Sequence, residues 1–244
     1  MLSPGNRSIA NKPTAPASET CEGIAASISA LEKMFAAAML GEALDLGLLN
    51  TAAVEIVKNI EEAGLTRWLD VIRRCHSQTY QHCLIVTAVA VSFGRHLGFT
   101  NADKQRLATA GLVHDFGKVF IPIHILEKPA QLSEEETAIM RTHPELGFEA
   151  LRHEQGLHAE MLDMVLHHHE YLDGSGYPNG LSGNEISDLV RTMTIADVFG
   201  ALIERRPYKS PSSGADAYQI LIDMGARLDK DLVRTFRPLG LSVG

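Results

Sequence analysis

From residue 24 onward the apolar positions recur at helical spacing. Ile24, Ile28, Leu31, Phe35 and Met39 fall at three- and four-residue steps and predict one apolar stripe on a helix. A second helix is predicted from Asn50, a favourable cap residue, through Val54, Val57 and Ile60 to a stop at Gly64. A long helix over 78–98 turns Val86, Val89, Phe93 and Leu97 inward, and another runs from Ala102 to about Phe116. After an irregular stretch around Pro122, Ser133-Glu134-Glu135-Glu136 reads as a capping box that opens a helix ending near His143. Pro144 suits the first turn of the next helix, which continues through Ala150. Leu157 to His168 is helical in period, until Gly174, Gly176 and Pro178 force the backbone out of any helix. Further helices are predicted over about 185–205, 215–225 and 230–236. No useful run alternates as a strand would, and no segment repeats. The pattern predicts an all-α fold.

Before residue 23 the pattern lapses. Pro4, Pro13 and Pro16 stand among Ser, Thr, Asn and Ala, too little to bury to offset the entropy of ordering. The expected organisation is a disordered tail over 1–22, an N-terminal helical region over 23–75 and a main domain over 76–240. The N-terminal helices are expected to extend the core; a hairpin for homodimerisation or for a signalling protein partner is the other reading.

Composition narrows the function classes. The 244 residues are 45% hydrophobic, enough for a proper core, and the formal charge of -8 argues against wrapping a nucleic acid polymer. A small anionic ligand needs only a few local cations. Cys21, Cys75 and Cys83 are odd in number and show no CxxC spacing, as in a reducing compartment. The apolar run from Ile24 to Leu49 is interrupted by Glu32, Lys33, Glu42 and Asp45, too many charges for a membrane span. With no signal-peptide pattern at the N-terminus, the expected location is cytoplasmic.

Eleven histidines against one tryptophan point to the chemistry. His167-His168-His169 ends a helix and is followed by a glycine- and proline-rich loop. Each imidazole brings two polar nitrogens that burial must satisfy, so a core has little use for three in a row. His114-Asp115 also ends a helix, His82 lies among apolar neighbours, and His143 stands between two helices. Asp197 is flanked by Ile195, Ala196, Val198 and Phe199, where an acid is rarely buried without a partner. A shared metal site would account for these residues together; a salt bridge for Asp197 and a core role for His82 are the plainer readings.

Several motifs follow in order: His114-Asp115-x-Gly117-Lys118, Ile121-Pro122, Ile125-Leu126-x-Lys128-Pro129 and His143-Pro144-x-x-Gly147. Then come His168-His169-Glu170-x-x-Asp173-Gly174-x-Gly176-Tyr177-Pro178, Ala196-Asp197-Val198-Phe199 and Arg206-Pro207-Tyr208. Over about residues 78–237 the chain resembles the HD-GYP subgroup of the HD phosphohydrolases, bacterial signal-transduction phosphodiesterases of cyclic di-GMP. The resemblance implies an HD-domain helical bundle with extra C-terminal helices and a GYP loop, preceded here by a short N-terminal helical region. It implies a centre of two divalent ions, iron or manganese, held by His82, His114, Asp115, His143, His168, His169 and Asp197. His167 matches no ligand position and is expected to be an outer partner or solvated. Asp115 is expected to bridge the ions and, with Lys118, to serve catalysis by a hydroxide held between them. Lys118, Tyr177, Arg206 and Lys209 are expected to contact the cyclic dinucleotide, the last two by gripping phosphate.

Two positions depart from the family pattern. Gly200 stands where a second Asp is usual, and a glycine inside a helix costs up to ~1 kcal/mol relative to alanine. Gln78 stands one turn before His82, where members with a third metal carry Glu. The neutral amide favours two metals and release of mainly the linear dinucleotide pGpG, with slow further cleavage to GMP. The competing expectations are a receptor that binds cyclic di-GMP without cutting it and an HD hydrolase of another cyclic dinucleotide. Receptors of this kind typically lose ligands or the loop tyrosine, and this chain keeps both.

Overall fold

A computed structural model describes residues 17–42, 44–73, 78–205 and 210–244. All its regular elements are helical; no strand forms among the described residues. The N-terminal group comprises α1 (Ala17–Leu40), α2 (Leu46–Ala63) and α3 (Leu65–Ile72). Helix α1 begins inside the stretch read as tail, because Ala17, Ser18 and Glu19 follow the last proline and Ala and Glu favour helix. Helix α2 starts earlier than its predicted Asn50 cap: the Asp45 carboxylate accepts the N–H groups of Gly47 and Leu48 and nucleates the turn there. Gly64 ends it as expected. Helix α3 was not anticipated, although Leu65, Trp68, Leu69 and Ile72 have helical spacing and are all buried.

Around these lie α4 (Gln78–His96), α5 (Asn101–Val113), the short α6 (Ile123–Leu126), α7 (Glu134–Met140) and α8 (His143–Leu151). They are followed by α9 (Ala159–His167), α10 (Asp188–Ile203), α11 (Gly214–Asp223) and α12 (Lys230–Ser242). The Ser133/Glu136 capping box forms as read. Helix α12 runs past its predicted end near Phe236, through Pro238. The proline forgoes one hydrogen bond, while Gly240 beyond it packs on Tyr218 and Phe236 and keeps the turn in place.

Helix α4 is the axis of the bundle. From Cys83 to Phe93 every residue is buried, so the helix is covered all round, chiefly by α5 and α10. Ile24, Leu31 and Met34 of α1 belong to the same continuous core, and Phe35 meets Phe116 edge-on at 5.2 Å. The N-terminal helices therefore pack directly against the segment that follows His114-Asp115.

Gly200 has a packing role that its helix propensity hides. A Cβ at this position would lie 2.9 Å from Cγ2 of Val86 on α4. The missing side chain lets α10 and α4 approach closely, one turn beyond His82. Gly200→Ala gains helix propensity of up to ~1 kcal/mol but drives a methyl into a stiff, fully buried valine, an overpacking cost of about 1–3 kcal/mol. The net expectation is destabilisation of about 1 kcal/mol, a Tm lower by roughly 2–4 °C in thermal unfolding.

Candidate metal centre

Five histidines and two aspartates converge where α4, α5, α8, α9 and α10 meet. His114 follows the end of α5, His143 opens α8 and His168 follows the end of α9, so three rings project from helix termini. His82 and Asp197 come from within α4 and α10. The local chain path depends on close backbone approach: a Cβ on Gly117 would lie 1.9 Å from the carbonyl oxygen of His143. Only glycine lets the turn after Asp115 lie on the start of α8, which explains the Gly two residues after that aspartate.

The ligand atoms form two groups, Asp115, His143, His168 and His169 in one, and His82, His114 and Asp197 in the other. Within each, one N or O atom per residue lies within 4.8 Å of the rest. Asp115 faces both groups. Its Oδ1 is 3.2 Å from His143 Nε2 and 4.0 Å from His168 Nε2, while its Oδ2 is 3.4 Å from His114 Nε2 and 3.6 Å from His82 Nε2. Asp197 does the same, with Oδ1 3.0 Å from His82 Nε2 and Oδ2 3.5 Å from His169 Nδ1.

Backbone carbonyls settle the tautomers. Nδ1 of His114, His143 and His168 each lies 2.8 Å from the carbonyl oxygen of Gly111, Met140 and Val165, respectively. A carbonyl only accepts, so each Nδ1 carries the proton, and in the neutral ring that metal ligation requires each Nε2 presents a lone pair inward. The Nε2 atoms of His143 and His168 stand 3.3 Å apart, which in neutral rings sets two lone pairs face to face. His114 Nε2 and Asp115 Oδ1 are buried with no hydrogen-bond partner among the described residues. Such a concentration of buried acceptors is unfavourable unless cations lie among them, and the donor set fits divalent metal ions.

The electrostatics agree for His168 and His169, whereas at His82 the Asp197 and Glu204 carboxylates outweigh burial and raise the imidazole to about 9. Burial pushes the His168 imidazole well below its usual pKa, helped by the neighbouring His169 and His114; burial also lowers His169, to about 4. Both are held neutral, as metal ligation requires. Burial opposes ionisation of Asp115, but the Lys118 ammonium beside it is the chief opposing influence, and the carboxyl is held well below the usual range. Lys118 Nζ lies 2.6 Å from Asp115 Oδ2 and is partly exposed at the mouth of the site.

The loop after His169 covers one side. Glu170, almost fully buried, accepts the backbone N–H groups of Asn179, Gly180 and Leu181 at 2.6, 3.0 and 3.1 Å. Tyr177 thereby stacks on His169, ring centroids 4.7 Å apart, and the Arg141 guanidinium lies over the tyrosine at 5.2 Å. His167 turns away from the cluster, its Nδ1 2.7 Å from Asp163 and its Nε2 3.0 Å from Asn179 of the loop.

Of the predicted site residues, the structure brings together His82, His114, Asp115, Lys118, His143, His168, His169, Tyr177 and Asp197. Arg206 and Lys209, and the side chain of Gln78, lie outside the described residues. Three contributors were not read from the sequence: the anchoring role of Glu170, Arg141 above the tyrosine, and Glu204, whose Oε2 lies 3.3 Å from His82 Nδ1. Glu204 falls two helical turns after Asp197, a spacing that could have revealed it.

Comparisons with known proteins identify the family. The model of the HD domain family matches residues 68–232. The cyclic di-GMP phosphodiesterase PA4108 of Pseudomonas aeruginosa is 32% identical over 85% of this chain and 50% of its own length. The 3'3'-cGAMP-specific phosphodiesterase 2 of Vibrio cholerae is 44% identical over 67% of this chain and 30% of its own. The chain thus spans half or less of these curated relatives. Among solved structures, Bd1817, an HD-GYP-type protein of Bdellovibrio bacteriovorus, superposes with a TM-score of 0.72 at 17% identity, covering 96% of this chain and 74% of that one, a likeness of fold.

The Glu170 carboxylate holds the loop that carries Tyr177. Glu170→Ala leaves three N–H groups without their charged acceptor and is expected to cost about 2–4 kcal/mol. Hydrogen exchange should show faster exchange at the amides of 179–181 than at those of α4.

Proposed function

Because the chain belongs to the HD domain family and carries the HD-GYP motifs in order, we propose that it is a metal-dependent phosphodiesterase that hydrolyses cyclic di-GMP. The observation that carries this reading is the paired His/Asp group in which Asp115 and Asp197 each turn one oxygen to either half. We assign His82, His114, Asp115, His143, His168, His169 and Asp197 as the residues that hold two divalent ions. Five imidazoles and two carboxylates with no thiolate suit iron or manganese. When bound, such ions supply Lewis-acid stabilisation of phosphate oxygens and lower the pKa of water for attack at neutral pH.

The chain's own residues do the rest. Asp115 keeps the two halves of the site in register. Lys118, at the mouth, meets a non-bridging phosphate oxygen or delivers the proton that the departing ribose oxygen needs as the P–O bond breaks. Tyr177, held between His169 and Arg141, offers its ring edge and hydroxyl to the nucleotide, and Arg141 adds positive charge near the anionic ligand. Arg206 and Lys209 complete the grip on phosphate. Hydrolysis adds hydroxide to phosphorus and a proton to the ribose oxygen, which opens the ring to linear pGpG.

A second reading is favoured by the higher identity to a 3'3'-cGAMP-specific relative: the same centre opening a hybrid cyclic dinucleotide. Parallel turnover of both substrates by the anaerobically purified, metal-loaded protein discriminates, and binding of either without cleavage would favour a receptor.

Asp115→Ala is expected to abolish turnover and remove most of the bound metal, measured by elemental analysis beside a chromatographic assay. Wild-type turnover in that variant would overturn the assignment. Gln78, a neutral amide where a third ion would call for a carboxylate, leads us to expect the linear dinucleotide as main product. A chromatographic time course that ran rapidly and completely to GMP would contradict this.

A further inference from the structure

His82 differs from three of the other imidazoles in how its outer nitrogen is held. His114, His143 and His168 each commit Nδ1 to a carbonyl three residues earlier, and those carbonyls lie in the last turn of a helix or just beyond it. Such carbonyls have no partner within the helix, so they are free to lock a ring. His82 sits inside α4, where the neighbouring carbonyls are already engaged in the helical ladder. Its Nδ1 makes no aligned hydrogen bond among the described residues, and the group that approaches it is the Glu204 carboxylate, at 3.3 Å.

Glu204 is itself buried, as a free surface glutamate would not be. Its N–H still bonds to the Gly200 carbonyl, so the helical path of α10 extends to it. Asp197, Gly200 and Glu204 therefore fall on one face of α10, at spacings of three and four residues, and that face lies on α4. Gly200 sets the separation through its contact with Val86, one turn from His82. The His82 ring is thus gripped between two carboxylates of a single helix, Asp197 at Nε2 and Glu204 at Nδ1.

We propose that Glu204 is a positioning residue of the metal centre, accepting the Nδ1–H of His82 and so holding its Nε2 lone pair on the ion of the His82/His114/Asp197 group. The carboxylate also makes the imidazole a stronger donor, and outer partners of this kind are worth about 10- to 100-fold in metal affinity. The Gly200–Glu204 pair is then one device: a glycine that closes the two helices and, one turn later, a carboxylate that reaches the ring. This inference rests on the two-ion assignment above.

The test is Mn2+ binding by the metal-depleted 244-residue protein, followed by the electron paramagnetic resonance signal of free Mn2+, for wild type, Glu204→Ala and Glu204→Gln. The expected result is two sites in wild type and a selective weakening of one of them by about 10- to 100-fold in Glu204→Ala. Glu204→Gln keeps an acceptor oxygen and should recover much of that loss. Circular dichroism of the metal-free proteins identifies any variant that has lost its fold, and Glu204→Asp, which keeps the charge but shortens the reach to His82, then carries the comparison, with the same weakening of one site expected. Equal affinity and stoichiometry in wild type and both variants would overturn the role of Glu204 while leaving the two-ion centre intact. A wild type that binds no Mn2+, and holds no iron as purified, would overturn both. Equal weakening of both sites in a folded Glu204→Ala would also overturn the proposal, since the carboxylate approaches His82, which belongs to one of the two groups.

Discussion

The structure depends on keeping one carboxylate, Asp115, ionised in the interior. Its side chain is buried among four imidazoles, and the Lys118 ammonium, 2.6 Å from Oδ2, offsets the cost of leaving water. Because its two oxygens face different histidine groups, any shift of α5 against α8 or α10 would disturb both at once. The glycine at 117, the docking of α8 on the turn after Asp115 and the packing of Phe116 under α1 all serve to hold that residue in place.

Around this carboxylate the fold uses helix ends as tools. A helix C-terminus leaves carbonyls unpaired, and here three of them orient imidazoles instead of meeting water. The same economy appears in the loop after His169, where one buried glutamate takes up three backbone N–H groups and so needs no strand or helix to give the loop a shape. Three of the histidine ligands and the wall that carries Tyr177 are thus positioned by backbone groups, which have fewer alternative conformations than side chains do. This suits a centre whose donors must be arranged before the ions arrive.

The bundle also shows why an N-terminal region that matched no motif still belongs to the domain physically. Ile24, Leu31 and Met34 share a core with α4 and α5, and Trp68 is fully buried. Its helices touch the turn after Asp115 through the contact of Phe35 with Phe116.

The sequence by itself determined the helical class, most helix positions, the Ser133 cap and the set of histidines and aspartates that meet at the centre. These are local or motif-borne properties: periodicity reports which face is buried, and a run of polar ligands in apolar surroundings reports a shared partner. It misplaced the cap of α2 and the end of α12, where two side-chain hydrogen bonds or packing beyond a proline outweighed local preference. Only the tertiary structure decided which oxygen of Asp115 serves which group, which nitrogen of each ring points inward, and that Glu204 stands behind His82. Those choices depend on how closely α4, α5, α8 and α10 approach, and that distance is set by contacts between residues far apart in the chain, as between Gly200 and Val86 or Gly117 and His143. A glycine reads in sequence as a local weakness; its value as a point of contact exists only once the opposing helix is in place.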